Sequence, residues 1–88
     1  MRIDRFLFFV RLAKSRTLAQ AIVAEGRLRI DGRRVAKASE EVRAGSVVAM
    51  PLRGEVVVLR VLALPARRGP SAEARACYEV IDEREGAT

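Results

Sequence analysis

The spacing of apolar residues changes once along this chain, and that change limits the fold more than any other feature. Ile3, Phe6, Leu7, Val10 and Ala13 recur at the i, i+3, i+4, i+7 interval of one helical face. After Gly26 the period becomes two, with Leu28 and Ile30 alternating with Arg27 and Arg29. Helices that precede strands in one short chain must bury their stripe against the sheet those strands form. The expected class is therefore α+β, with two N-terminal helices on a small, mostly antiparallel sheet and a short helix added at the C-terminus.

The local signals divide the chain further. The first helix is predicted from Arg2 to about Lys14, with Asp4 in its first turn and Arg11 and Lys14 near its end, all favourable to the helix dipole. A break follows at Ser15-Arg16-Thr17. Either Ser15 or Thr17 can cap a second helix, and Thr17 with Gln20 has capping-box spacing. Leu18 and Ile22, with Ala19 and Val23, form its apolar stripe, and Gly26 stops it. Asp31-Gly32 is a tight-turn dipeptide. Ala38 to Ala44 reads as a loop with a short helical turn, Ser46 to Met50 as a strand, and Pro51 to Gly54 as a turn. Glu55 to Leu64 is a long strand apolar on both faces, which predicts cover on both. Pro65 to Pro70 is a loop carrying Arg67-Arg68, and Ser71 can cap a last helix with the stripe Ala74, Cys77, Tyr78 and Ile81. One domain over residues 1–81 and a frayed tail over 82–88 are expected.

Composition removes whole classes of chemistry. The 88 residues contain no histidine, no tryptophan and one cysteine. That excludes His-based acid–base catalysis, a catalytic triad, Cys/His zinc sites and an intrachain disulfide. The glycines are isolated, so no glycine-rich phosphate loop is present. Glu40-Glu41 and Asp82-Glu83 read as solvated surface charge, and Cys77 as a packed core thiol. The expectation is a non-enzyme that needs no cofactor and no metal. The longest early apolar run, Phe6 to Val10, is bracketed by Arg2, Arg5 and Arg11 and is too short for an export signal or a membrane span. Cytoplasmic residence and no membrane partner are expected.

The charge is unevenly placed. The net charge is +6, yet residues 1–37 hold ten Lys/Arg against Asp4, Glu25 and Asp31, leaving +7, and the remainder sums to −1. One face built to meet a polyanion fits this distribution. Lys14-Ser15-Arg16-Thr17 combines two cations, two hydroxyls and the free N–H groups of a helix start, a plausible phosphate seat that Gln20 can also reach. Arg27, Arg29, Arg33, Arg34 and Lys37 surround the Asp31-Gly32 turn, either as a second contact cluster or as charge that protects an edge strand. Phe8 lies off the main stripe between Arg5 and Arg11. It is expected to pack beneath the C-terminal helix through Tyr78, with base stacking as the alternative. With no asparagine and a single glutamine, base-edge reading is poorly supplied, and recognition of backbone and shape fits better.

Five segments in order resemble a known family. Arg2-Ile3-Asp4-Arg5-Phe6-Leu7-Phe8, Lys14-Ser15-Arg16-Thr17-Leu18-Ala19 and Gly26-Arg27-Leu28-Arg29-Ile30-Asp31-Gly32 resemble the S-four (S4) domain, the alpha-L RNA-binding motif. Lys37-Ala38-Ser39 and Val42-Arg43-Ala44-Gly45-Ser46 continue it, so the core motif covers about residues 1–48. Arg67-Arg68-Gly69-Pro70 and Glu73 to Tyr78 extend the likeness to the stand-alone, ribosome-associated heat shock protein fifteen group. Phe6 and Phe8 stand where that group often has tryptophan, Asp31 where asparagine is usual, and Ser46 where aspartate follows the glycine. The resemblance implies a heat-shock type, ribosome-associated RNA-binding protein that recognises structured ribosomal RNA on the large subunit. It extends to transfer RNA in rescue of stalled ribosomes. It implies an RNA face of Arg2, Arg5, Arg11, Lys14, Arg16, Thr17 and Lys37; the reading of the residues adds Ser15, Gln20, Arg27 and Arg33. A monomer is expected. Three alternatives stay open: a protein–protein module on the ribosome using Val56 to Leu64 as an edge, a general nucleic-acid or DNA binder, and a basic helix lying on anionic membrane.

Overall fold

The computed structural model describes residues 1–85. Two helices, α1 (Ile3–Phe9) and α2 (Arg16–Ala24), precede the strands β1 (Arg29–Ile30), β2 (Arg33–Arg34), β3 (Val47–Leu52) and β4 (Glu55–Val61). A five-residue helix, α3 (Ser71–Arg75), and the strand β5 (Tyr78–Glu85) complete the chain. The strands form one sheet in the order β2-β1-β3-β4-β5, antiparallel throughout. The α+β architecture is the one expected.

The helices cover one face of the sheet only. Ile3, Phe6 and Leu7 of α1 and Ala19 and Val23 of α2 share a core with Ile30, Val48, Met50, Leu59 and Val61. Fully burying a side chain such as Phe6 contributes roughly 1.5–3 kcal/mol, so these few contacts dominate stability in a domain this small. On the opposite face Val56 and Leu62 are exposed, so the expected two-sided cover of this strand is absent. The strand also ends at Val61 rather than Leu64, because Leu62 and Ala63 N–H turn to the carbonyl of Cys77.

Other elements also differ from the sequence reading. α1 stops at Phe9 instead of Lys14, since Arg11 takes a left-handed φ of 65° and the Leu12 and Arg11 N–H groups fold back to Leu7 and Phe8 carbonyls. That reversal still buries Val10 and Ala13. In α2 the buried stripe is Ala19 and Val23 with Ile22 beside it, whereas Leu18 is exposed. β3 runs through Pro51 to Leu52 before turning at Arg53-Gly54, whose positive φ angles suit a two-residue hairpin. Pro51 costs no ladder bond: β1 pairs only with Val48 and Ala49, and Pro51 sits at a position of the hairpin whose N faces away from β4. At the C-terminus, Pro70 rather than Ser71 precedes α3, and Tyr78 to Ile81 are strand rather than helix. β5 carries the fold past residue 81 to Glu85, through most of the segment expected to fray; Gly86, Ala87 and Thr88 lie outside the described residues.

Candidate nucleic-acid interface

The start of α1 is tied down by a loop far along the chain. Ile3 N–H donates to the Glu40 carbonyl at 2.8 Å, Asp4 N–H to Ala38 at 3.3 Å, and Val42 N–H to Met1 at 2.8 Å. Glu40 shapes that loop by accepting from Ala36 and Lys37 N–H and from Arg33 Nη1. The Arg33 guanidinium, then these amides, hold the Glu40 carboxyl below its ordinary value, and the N-terminal ammonium does the same for Glu41. These charged neighbours, not visible in the sequence, make both carboxylates more firmly anionic rather than proton donors.

Asp4 is the centre of the helix junction. Its side chain has no exposed surface, and its two oxygens accept five hydrogen bonds. Arg2 donates Nε to Oδ1 and Nη2 to Oδ2, both at 3.1 Å, in a bidentate pair. Arg16 Nη2 and Gln20 Nε2 each reach Oδ2 at 3.2 Å, and Arg5 N–H reaches Oδ1 at 2.7 Å. Burial alone would raise the Asp4 carboxyl; the donors from Arg2, Gln20, Arg16 and the Arg5 amide outweigh it and hold the pKa at about 2. In the sequence Asp4 is a first-turn acid and a pairing partner open to Arg16. Its role as the point where Arg2, Arg16 and Gln20 converge needed the fold.

Arg2 and Arg16 stay about 40% exposed while bonded to Asp4 (41% and 40%), so each guanidinium has one edge inward and one toward solvent. Nη1 of both makes no hydrogen bond among the described residues. Arg16 Nε is buried without a partner there, which leaves this side chain only half satisfied by the protein. Ser15 is the α2 cap, its Oγ accepting from Leu18 N–H at 3.0 Å, so the Thr17–Gln20 capping box is not formed. Thr17 lies exposed inside α2, and Gln20 is turned to Asp4 instead. Lys14 and Arg5 are exposed, with no ion pair among the described residues.

The remaining expected contacts divide. Arg11 is partly committed elsewhere, donating Nε to the Gly69 carbonyl at 2.7 Å. Arg27 pairs with Glu25 at 3.4 Å and Arg33 with Glu40 at 2.7 Å, whereas Lys37 is exposed and unpaired among the described residues. Asp31-Gly32 forms the expected turn, with φ values of 52° and 80°. Arg34 lies across Gly26 at the end of α2, so close that a Cβ at Gly26 would come within 2.6 Å of its Nη2. A contact that the sequence reading did not place is that of Arg68. Its guanidinium sits 4.4 Å from the Phe8 ring centre and its Nη1 reaches the Lys14 carbonyl at 3.5 Å. Phe8 is thus faced by Arg68, not by Tyr78. The Arg67-Arg68 pair was the available signal.

Residues 1–48 match the S4 domain. That segment holds α1, α2 and the β1–β2 hairpin, and with them every residue bonded to Asp4. The RQC P-site tRNA stabilizing factor of Bacillus subtilis (strain 168) is 39% identical over 61 residues, covering 69% of this chain and 70% of that protein. The protein of the same name from Halalkalibacterium halodurans is 34% identical over 83 residues, 94% of this chain and 92% of its own. The trimeric structure of Vibrio cholerae Heat Shock Protein 15 superposes with a TM-score of 0.84 at 25% identity, covering 91% of this chain and 80% of that one. Ordered motifs, a junction of cations around one buried acid and a match across more than half of the chain agree: this chain belongs to the S4 domain family.

Proposed function

We propose that this chain is a non-catalytic, cytoplasmic RNA-binding protein that recognises structured ribosomal RNA on the large subunit, together with transfer RNA, in rescue of stalled ribosomes. The observation that carries this reading is the α1–α2 junction, where Arg2 and Arg16 are preset around Asp4 beside Lys14 and the α2 N-terminus. Cations fixed at a helix start suit phosphate groups rather than base edges. The name shared by the Bacillus subtilis and Halalkalibacterium halodurans relatives, RQC P-site tRNA stabilizing factor, supports a place beside transfer RNA in the P site. The non-catalytic part of the reading draws on the chain's chemistry: it has no histidine, and Cys77 is buried with its thiol toward the Glu73 carbonyl.

Two alternatives lose their support. β4 is paired on both sides by β3 and β5, so the strand part of Val56 to Leu64, Val56 to Val61, offers no free edge for a partner strand. The apolar face of α1 is spent on the core through Ile3, Phe6 and Leu7, so α1 has no free apolar face to lay on a membrane. Among the described residues no helix is long and apolar enough to cross one.

Retention of a structured RNA over a salt series tests the proposal. If ~5 phosphates are met, log K falls against log salt with a slope of roughly −3.5 to −4.5, and structured RNA competes better than a DNA duplex of the same sequence. A slope near zero overturns the phosphate face. Equal competition by DNA makes the chain a general polyanion binder.

A further inference from the structure

A fully buried carboxylate in the most basic third of the chain is a puzzle for a surface that only attracts phosphate. Removing it would raise the net charge from +6 to +7 and, by charge alone, strengthen binding to any polyanion. The bonds around it suggest what it does instead. We propose that Asp4 is the positioning residue of the RNA face: it holds Arg2, Arg16 and Gln20 in one fixed fan before RNA arrives. The inference rests on the RNA-binding reading above and adds to it the group that presets the site.

The geometry supports each part of this role. Two guanidinium groups brought to a shared point repel, and a carboxylate between them offsets that repulsion. The bidentate pair with Arg2 sets the plane of that guanidinium, while Oδ2 draws in Arg16 and Gln20 from α2. The carboxylate is itself oriented by the Arg5 amide at 2.7 Å, so its direction is inherited from the α1 backbone. Arg2 and Arg16 keep Nη1 free among the described residues for an incoming phosphate. Long, flexible side chains are thereby ordered during folding, and RNA binding no longer has to order them.

Charge and positioning predict opposite signs, which makes the test decisive. Asp4→Asn keeps the shape of the side chain and adds one unit of net positive charge. Positioning predicts that its affinity for a structured RNA falls by roughly tenfold despite that charge. Charge counting predicts tighter binding. In a background carrying both Arg2→Ala and Arg16→Ala the same substitution should change affinity by less than about threefold, because both guanidinium groups it orients are gone; a merely structural role would leave its effect undiminished. All variants are compared below their melting transitions. Should Asp4→Asn fail to fold, Arg16→Lys serves, since it keeps the charge but not the fork that meets Asp4 and a phosphate through separate nitrogens. It should bind nearly as poorly as Arg16→Ala, and parent-like binding by Arg16→Lys overturns the role. Asp4→Asn that binds as well as the parent, or better, does the same. A parent protein that fails to bind RNA overturns the RNA reading itself, an outcome visible before any variant is made.

Discussion

Acid should weaken this fold chiefly through one residue. The Asp4 carboxyl is held at about 2 in the folded protein against an ordinary value of 3.8. At roughly 1.4 kcal/mol per unit of pKa, that difference favours the folded state by about 2 kcal/mol at neutral pH. The folded-state value is the lower one, so the stabilisation is complete above the unfolded value and lost as pH falls through 3.8 toward 2. Asp4 itself is buried, but its partners Arg2 and Arg16 are about 40% exposed, and solvent screening through them keeps the figure at about 2 kcal/mol rather than more. Urea unfolding of the parent and of Asp4→Asn from pH ~7 to pH ~2, at constant ionic strength, isolates the effect. Glu40 and Glu41 titrate alike in both proteins and cancel. The stability gap between the two should shrink by about 2 kcal/mol on acidification. A gap that stays constant or widens refutes the reasoning, as would a directly observed Asp4 titration midpoint near its ordinary value.

Two local substitutions probe the frame around the junction. Ser15→Ala removes the hydroxyl that caps α2 and should cost about 1 kcal/mol in chemical denaturation, whereas Thr17→Ala, at an exposed position without a cap bond, should cost less than about 0.5 kcal/mol. Arg53→Asn should raise the melting temperature, because Arg53 holds a φ of 53° at a turn position that asparagine accepts more readily, a gain of roughly 0.5–1 kcal/mol.

What could be read from the chain beforehand was whatever depends on neighbours in sequence. The α+β class follows from the change of period after Gly26, and the Asp31-Gly32 turn from a dipeptide that tolerates positive φ. The α2 side of the basic junction was visible because its residues lie within Lys14 to Gln20. What escaped depends on distant partners. Tyr78 to Ile81 carry apolar residues that fit a short helix or a strand equally well, and pairing with β4 decides for the strand. Arg11 breaks α1 although no glycine marks the place, and its Nε bond to Gly69 helps to hold the reversal. Asp4 shows the same limit most clearly: a first-turn acid looks like a helix-dipole partner until α2 folds across it and brings Arg16 and Gln20 to its oxygens.

The central claim, that RNA is held by the N-terminal junction and not by net charge, is tested most directly by two charge-matched substitutions. Arg16→Ala and Arg75→Ala each lower the net charge by one, the first at the junction and the second at the exposed end of α3. Both are assayed for structured-RNA affinity at one salt concentration, below their melting transitions. The account predicts that Arg16→Ala weakens binding by roughly 1–3 kcal/mol, the loss of a charge-assisted contact. Arg75→Ala should change it by less than about 0.5 kcal/mol, a remote and screened effect. Equal losses from the two, or parent-like binding by Arg16→Ala, would contradict the account.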